Sequence, residues 1–278
     1  MSLVRSPNPV SGAPAKGVQP IPILLYHSVS SRPAPGIAPF AVSPSVFERH
    51  LDLIAASHRV VTISELAEWL AGGAMTSPPG IVVTFDDGFA DNLEKAVPLL
   101  QARGMRATVY ITTGYLDGRA GGEEPPGEML SWAAPSELEE ARFEIGAHGH
   151  RHRPLDVLAL PEVAVDIGRS KASLESRLGH RVATFAYPQG YRDQAVREVV
   201  RASDFDSACG VGNAFSHRLD DRWSIARLTV RADTPLATMA TWLRGEGAPL
   251  APCRDALRTV VWRGVRRARR ILAEPAGS

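Results

Sequence analysis

The chain has 278 residues, of which 44% are hydrophobic, so it is long enough for one sizeable core, and single α/β barrels commonly reach this length. Its 31 lysines and arginines nearly balance its 30 aspartates and glutamates, so no global charge points to nucleic acid or another strongly charged partner. The two cysteines, Cys209 and Cys253, are too few for a disulfide framework and lie in no metal or redox motif, which favours a reduced protein.

The amino-terminal residues 1–20 are rich in Pro, Gly, Ser and Ala and lack the apolar central segment of a secretory signal, so we expect a disordered tail. No stretch approaches the roughly 18 apolar residues of a membrane span. We therefore predict a cytoplasmic protein with one catalytic domain over residues 21–250, followed by a basic segment at residues 251–278.

Short apolar runs alternate with longer segments of helical periodicity, which is the pattern of repeated βα units around a parallel sheet. Strands are predicted at residues 21–26, 81–85, 107–111, 143–147, 183–187 and 225–230, with a further short one at 206–209. Helices are predicted at residues 45–56, 64–71, 92–103, 161–178, 193–202 and 235–243, several of which open with Ser, Asp or Pro as helix starts do. About seven strands of this kind indicate an α/β barrel.

The longest irregular stretch, residues 113–131, contains Gly121-Gly122 and Pro125-Pro126. A loop of this length in a compact domain is often the rim or lid of a functional site. A tolerated surface insertion is an equally good interpretation.

The strongest local signal lies at the end of the predicted strand 81–85, where the apolar run stops at Asp86, Asp87 and Gly88. Reactive residues collect at the carboxyl ends of the strands in a parallel α/β barrel. Two adjacent carboxylates repel each other unless a cation lies beside them, so one natural division of labour is metal ligand and general base. Asp-Asp-Gly is also an ordinary turn or helix-cap sequence, and that interpretation stays open at this point.

The second signal follows the predicted strand 143–147, where His148, His150 and His152 fall within five residues. Imidazole is the commonest neutral ligand for zinc and its neighbours, and this density favours a metal site. The His-Glu-x-x-His pattern of metalloproteases is missing, so a base must come from elsewhere. An aspartate and two histidines would leave a coordination position open for water, as catalytic metal sites require.

These residues resemble the polysaccharide deacetylases, which share the homology domain of the nodulation chitooligosaccharide deacetylase. Residues 84–88, Thr-Phe-Asp-Asp-Gly, are identical to the first motif of that family, whose first aspartate is the base and whose second binds metal. The resemblance therefore implies Asp86 as the general base and Asp87 as a metal ligand. His148 and His152 match the His-x-x-x-His ligand pair of the second motif, which leaves His150 as a bystander.

Residues 185–190, Phe-Ala-Tyr-Pro-Gln-Gly, are similar to the third motif, which forms one wall of the substrate groove. The residue before the glycine of that motif gives a backbone N–H to the oxyanion, and this role would fall to Gln189. The similarity extends in order and spacing over residues 21–243 and implies a distorted (β/α)7 barrel. It also implies one divalent metal ion. Zinc is the first candidate for this ion, and cobalt, nickel and iron are the alternatives.

Three departures from the family pattern concern residues around the expected site. The third motif usually has an arginine where this chain has Ala186, and Arg227, at another predicted strand, is the candidate substitute for its contact with the catalytic aspartate. Gly149 replaces the usual Ser or Thr of the second motif, which removes a hydroxyl that would brace the loop. The late Leu-His motif that supplies the general acid is missing from residues 225–230, whereas Leu25-Tyr26-His27 ends the first strand, as in the exopolysaccharide branch of the family.

The resemblance implies hydrolysis of an N-acetyl group on an amino sugar in a poly- or oligosaccharide or a lipid-linked glycan. His27 is then the candidate general acid, since the other unassigned histidines lie in or beside predicted helices or in a loop. Two alternatives stay open. One is hydrolysis of a small amide or imide, which a deep closed pocket would favour over an open groove. The other is a carbohydrate-binding relative that has lost turnover.

The carboxyl-terminal segment carries a run of arginines beside apolar residues at helical spacing, namely Arg258, Arg263, Arg266, Arg267, Arg269 and Arg270. Such a run is usually the solvated face of a helix packed on its own domain. It is also typical of a helix on an anionic membrane surface, which would suit a substrate held on a lipid carrier at the inner face of the membrane. Both interpretations stay open, and the oligomeric state does not follow from the sequence.

Overall fold

The computed structural model describes residues 18–73, 78, 80–116, 124–251 and 264–265. The predicted amino-terminal tail and the basic carboxyl-terminal helix therefore lie almost entirely outside the described residues, as does Cys253. Cys209 is buried and forms no disulfide with any described residue. None of the described helices is both long and apolar enough to cross a membrane.

Eight parallel strands form one sheet across the described residues. They are β1 (Ile23–Tyr26), β2 (Val60–Val61), β3 (Ile81–Phe85), β4 (Thr108–Ile111), β5 (Glu144–Ala147), β6 (Thr184–Ala186), β7 (Ser207–Cys209) and β8 (Leu228–Thr229). Their order in the sheet is β7-β6-β5-β4-β3-β1-β8, and β2 pairs with the start of β3. The seven strands predicted from the sequence are all present, and the two-residue β2 is the addition.

Helices on the outside of the sheet separate most of these strands in sequence. They are α1 (Pro44–Ala55), α2 (Ile63–Leu70), α3 (Val97–Gln101), α4 (Thr113–Leu116), α5 (Ala134–Glu140), α6 (Leu160–Leu178), α7 (Gln194–Ala202) and α8 (Leu236–Leu243). Local signals fix several ends: the Ser43 side chain accepts the Val46 N–H at the start of α1, and Gly179, with a φ of 78°, ends α6.

Two of the predictions, one for a helix and one for an irregular loop, need correction. The predicted helix 92–103 is a π-helical turn over Asn92–Ala96 that continues into α3, and such turns are frequent at functional sites. The stretch 113–131 is not wholly irregular, because its first residues form α4. Its last residues lie against the chain that follows the aspartate pair, since Leu130 donates its N–H to the Gly88 carbonyl at 2.9 Å.

The sheet curls until residues 222–229 join its two edges. Ile225 donates its N–H to Ala208 of β7 and accepts one from Gly210, both at 2.9 Å, and three residues later Leu228 pairs with Leu24 of β1. The result is the distorted (β/α)7 barrel that the sequence predicts. Its strand register also aligns the carboxyl ends of the strands, because Tyr26 lies opposite Phe85, and Ile111 lies opposite Ala147.

Candidate active site

All six predicted site residues follow the carboxyl ends of barrel strands. His27 follows β1, Asp86 and Asp87 follow β3, His148 and then His152 follow β5, and Gln189 follows β6. Because parallel strands present these ends on one side of a barrel, residues distant in sequence meet at a single face.

Three of these residues converge as a candidate metal centre. The ligand atoms of Asp87, His148 and His152 all lie within 4.8 Å of one another. Asp87 Oδ1 lies 3.3 Å from Nε2 of His148 and 3.0 Å from Nε2 of His152. His150, the third histidine of the cluster, is not part of this group, and its Nδ1 lies 3.0 Å from the Thr113 hydroxyl instead.

The hydrogen bonding of the three residues fits a cation between them. The Nδ1 of His148 lies 2.8 Å from the Ala186 carbonyl oxygen, which can only accept, so Nδ1 carries the proton and Nε2 presents its lone pair to Asp87. Oδ1 of Asp87 is buried and receives no hydrogen bond within the described part of the chain. Facing lone pairs on buried atoms are unfavourable unless a cation lies among them.

Asp86 pairs with Arg227, and its Oδ2 also lies 3.8 Å from Nε2 of His148. Nη1 and Nη2 of Arg227 donate to Oδ1 and Oδ2 of Asp86, each at 2.7 Å, and Nε donates to the Gly210 carbonyl at 2.9 Å. Burial alone would raise the pKa of Asp86, but the charge and the hydrogen bonds of Arg227 outweigh it and lower this pKa below its ordinary value. Asp86 is therefore ionised at neutral pH.

The charges of the buried groups also suit a divalent ion. Asp86 and Asp87 carry two negative charges and Arg227 carries one positive charge, so with neutral histidines the centre has a net charge of one minus. The three side chains are all buried. A buried charge of this kind requires a counter-charge, and nitrogen and carboxylate ligands are those that zinc and similar cations prefer.

Backbone strain is concentrated at the same residues. Among the described residues other than glycine, six have positive φ angles, and these include Asp87 at 75°, His152 at 53° and Gln189 at 56°. Such conformations cost on the order of 1 to 3 kcal/mol each and persist only where the surrounding structure imposes them. Three of the predicted site residues are thus held in conformations that local propensity disfavours.

Gln189 lies in a tight turn, Pro188–Gly190, directly after β6. Its side chain is exposed, and its φ of 56° is left-handed. The next residue, Gly190, has a φ of 73°, and a Cβ there would lie 2.7 Å from Cβ of Val211. The glycine therefore lets the turn lie directly against the neighbouring chain.

His27 is half-buried and packs on Phe40, with 5.1 Å between ring centroids. Its Nδ1 is buried and makes no hydrogen bond to any described residue. Burial lowers the pKa of His27, and the negative charges of Asp87 and Asp86 oppose that shift without cancelling it. The backbone of His27 is held in place, because the side-chain amide of Asn92 in the π-helical turn donates a hydrogen bond to the His27 carbonyl oxygen at 2.7 Å.

Sequence reasoning did not identify Asp166 of α6, a buried carboxylate that accepts N–H groups from the loop carrying His148 and His152. The sequence nevertheless contained a signal for this residue. The apolar stripe of α6 includes Val163 and Ile167, and an aspartate within such a stripe indicates a buried polar contact.

The fold and the site together define a class of protein: a parallel α/β barrel with an Asp-His-His candidate metal centre beside a buried aspartate–arginine pair. The family profile described as polysaccharide deacetylase matches residues 73–208, which include most of these residues. This match covers just under half of the chain, and it shows that this part of the chain is similar to the polysaccharide deacetylases.

Individual proteins show the same similarity. YxkH of Bacillus subtilis (strain 168), which is assigned to the polysaccharide deacetylases, is 26% identical over 179 residues, or 64% of this chain. The match spans 60% of the length of that relative. IcaB from Ammonifex degensii is 26% identical with a TM-score of 0.68, covering 81% of this chain and 97% of that one.

The fold is also similar to that of the Streptococcus pyogenes deacetylase PplD in complex with acetate, with a TM-score of 0.70. The similarity covers 80% of this chain and 97% of PplD, at 18% identity. At that identity the likeness concerns the fold alone, and it agrees with the predicted distorted (β/α)7 barrel.

Proposed function

We propose that this chain is a metal-dependent hydrolase that removes N-acetyl groups from amino sugars in a poly- or oligosaccharide or a lipid-linked glycan. The observation that supports this most is the convergence of Asp87, His148 and His152 within 4.8 Å, beside an ionised Asp86. The match of residues 73–208 to the polysaccharide deacetylase profile supports the substrate class, an N-acetylated carbohydrate.

In this proposal Asp87, His148 and His152 hold one divalent cation, with zinc first and cobalt, nickel or iron as alternatives. When bound, such an ion supplies a Lewis acid that polarises the amide carbonyl and lowers the pKa of a water molecule. The Ala186 carbonyl orients His148 by accepting from its Nδ1, so that Nε2 faces the cation.

Asp86 is the proposed general base that accepts a proton from the attacking water. Arg227 keeps both of its oxygens in fixed positions and keeps the carboxylate ionised, which a base requires. In this role Arg227 substitutes for the arginine that the family usually has at the position of Ala186. The contact is the same in kind, although Arg227 lies just before β8 and Ala186 lies on β6.

Gln189 and His27 complete the proposed reaction. The backbone N–H of Gln189 donates to the oxyanion that forms when water attacks the acetamide carbon. The carbon–nitrogen bond then breaks, and the departing nitrogen needs a proton, which His27 supplies. Burial that lowers the pKa of His27 makes its imidazolium a stronger acid. The products are acetate and a free amino sugar.

Acetate release from defined N-acetylated oligosaccharides and lipid-linked sugars tests the proposal, with and without a chelator. We expect release by the full chain and its loss after chelation or in His148→Ala. The matched control is His180→Ala, because His180 is an exposed histidine that lies 2.8 Å from Glu139 and is not part of the site. Release that survives both chelation and His148→Ala would contradict the proposal. Hydrolysis of small amides or imides without action on any glycan would support the alternative substrate class.

A further inference from the structure

The loop that carries His148 and His152 has its backbone held on one side by the turn after β4. Thr113 and Gly114 donate their N–H groups to the carbonyl oxygens of Gly149 and His150, at 3.2 and 2.8 Å. These bonds fix the carbonyl groups of the loop and leave its N–H groups to be satisfied elsewhere.

The side chain of Asp166 satisfies two of those N–H groups from the opposite side. Its Oδ2 accepts the N–H of His150 at 2.8 Å, and its Oδ1 accepts the N–H of Arg151 at 3.1 Å. The Asp166 side chain is 3% exposed, so these are charge-assisted hydrogen bonds in a site with little water. The Arg151 side chain contributes little to holding Asp166 in place, because its Nε lies 3.8 Å from Oδ1 of Asp166 and the side chain is 39% exposed.

A carboxylate at this place on α6 is costly, because its neighbours on the buried face include Val163 and Ile167. Burying a charged group costs free energy that only hydrogen bonds or a counter-charge can offset. An apolar residue would avoid that cost but would leave the two loop N–H groups unsatisfied. The carboxylate therefore serves the loop rather than the helix.

Gly149 makes the approach of this carboxylate feasible. Its φ is 73°, and a Cβ at this position would lie 2.8 Å from Oδ2 of Asp166, closer than real Cβ contacts come. Because residue 149 is a glycine, the carboxylate of Asp166 has room to lie against the backbone of the loop. The hydroxyl that a Ser or Thr would bring to the loop is absent, and a carboxylate from the helix occupies the space beside it.

We propose that Asp166 is a positioning residue for the metal centre: it braces the backbone between the two histidine ligands and fixes His152 against Asp87. This inference rests on the metal site of the proposed function. His148 has its own anchor in the Ala186 carbonyl. His152 directly follows the braced residues, in a left-handed conformation with a φ of 53° that the loop must impose. Loss of Asp166 therefore affects His152 more than His148.

The test measures the zinc affinity of the full chain by competition with a chelating chromophore, alongside the thermal midpoint of the metal-free protein. Asp166→Asn keeps the shape of the side chain but replaces one accepting oxygen with a donor that faces an N–H group. We expect zinc to bind about 10- to 100-fold more weakly, as is typical when a partner outside the ligand set is lost. The absorption spectrum of bound Co²⁺ should change as well, because the geometry of one ligand changes.

Glu144→Gln is the matched control. Glu144 is a half-buried carboxylate that also accepts backbone N–H groups, from Ile63 at 3.0 Å and Ser64 at 3.2 Å, but it begins β5, at the opposite end of the strand from His148. We expect this variant to lower the thermal midpoint and to leave the zinc affinity unchanged. A second variant, Gly149→Ala, keeps the carboxylate of Asp166 but displaces it, and should also weaken zinc binding.

Unchanged zinc affinity in Asp166→Asn and Gly149→Ala would overturn the inference while leaving the metal site intact. An equal loss in Glu144→Gln and Asp166→Asn would also overturn it, because affinity would then follow global stability. If the wild-type chain bound no zinc, or bound it equally well after His148→Ala, the metal site of the proposed function would fail, and this inference with it.

Discussion

Arg227 donates a hydrogen bond from each terminal nitrogen to a different oxygen of Asp86, both at 2.7 Å, although 141 positions separate the two residues. The side chains are 0% and 3% exposed. A buried pair of this geometry is strongly directional, since the planar guanidinium matches both oxygens at once. The orientation of the proposed base is therefore fixed by the segment 222–229, which closes the barrel.

Replacement of Arg227 by methionine should destabilise the protein strongly. The change leaves Asp86 buried without its counter-charge, which typically costs about 3 to 5 kcal/mol in the free energy of unfolding. Urea denaturation of the wild type, Arg227→Met, Asp86→Asn and the double variant measures this cost. The double variant should recover part of the loss, because no unpaired charge remains. Strictly additive effects would mean that the two residues do not act as a pair.

Alanine at any one of Asp87, His148 and His152 should lower metal content and activity together, because each supplies one of three ligands. Metal analysis of the purified variants, measured beside turnover, checks this. His150→Ala should keep its metal, since the His150 side chain faces Thr113 rather than the ligand group. A metal-free His150→Ala with a metal-loaded His152→Ala would reverse the assignment of the second motif.

Asp86→Asn should keep the metal and lose most of its turnover. The amide cannot accept the proton of the attacking water, and positioned acid–base groups contribute roughly 10² to 10⁴-fold to rates. The measurement is kcat at saturating metal, with metal content determined on the same sample. Near-normal kcat in this variant would remove Asp86 from the mechanism.

His27→Ala, assayed across pH with metal occupancy measured in parallel, tests the proposed general acid. We expect turnover to fall and the basic limb of the rate profile to disappear while the metal stays bound, because the departing amine loses its proton donor. His58→Ala, at a histidine just after α1, is the control. Rates in His27→Ala that match the wild type at every pH would transfer the role to another residue.

The buried His50 predicts how stability depends on pH. Burial, followed by the charge of Arg49, lowers the pKa of His50 to about 4 in the folded protein. In the unfolded chain the pKa of histidine is about 6.5, so the unfolded state binds the proton first as the pH falls. The stabilisation is complete above about pH 6.5 and is lost as the pH falls towards 4, by roughly 2 to 3 kcal/mol.

Urea midpoints at pH 7 and pH 4.5 for the wild type and His50→Gln check this pH dependence. Glutamine keeps a polar group near the Tyr26 hydroxyl, which lies 3.1 Å from Nδ1 of His50, and it does not titrate. The variant should lose less stability than the wild type between the two pH values. Equal losses would show that His50 is not the group responsible.

The sequence by itself determined the elements whose signals are local. The apolar run 81–85 forms β3 with the predicted bounds, because a buried parallel strand is a continuous apolar segment and the carboxylates of Asp86 and Asp87 end it. The resemblance to the second family motif implied that His148 and His152 are the pair that lies with Asp87, and His150 lies outside the group. In both cases the pattern lies within a few consecutive residues, so it can be identified without knowledge of the tertiary structure.

Only the tertiary structure decided which distant groups compensate one another. The sequence raised Arg227 as a candidate, but its pairing with Asp86 depends on how residues 222–229 close the barrel. Asp166 belongs to no motif, and its place in the apolar stripe of α6 indicates only that it has some buried polar contact. Its role arises because α6 packs against a loop that lacks a side chain at Gly149. Buried charges and N–H groups must find partners wherever the chain brings them, and that requirement leaves no fixed spacing in the sequence.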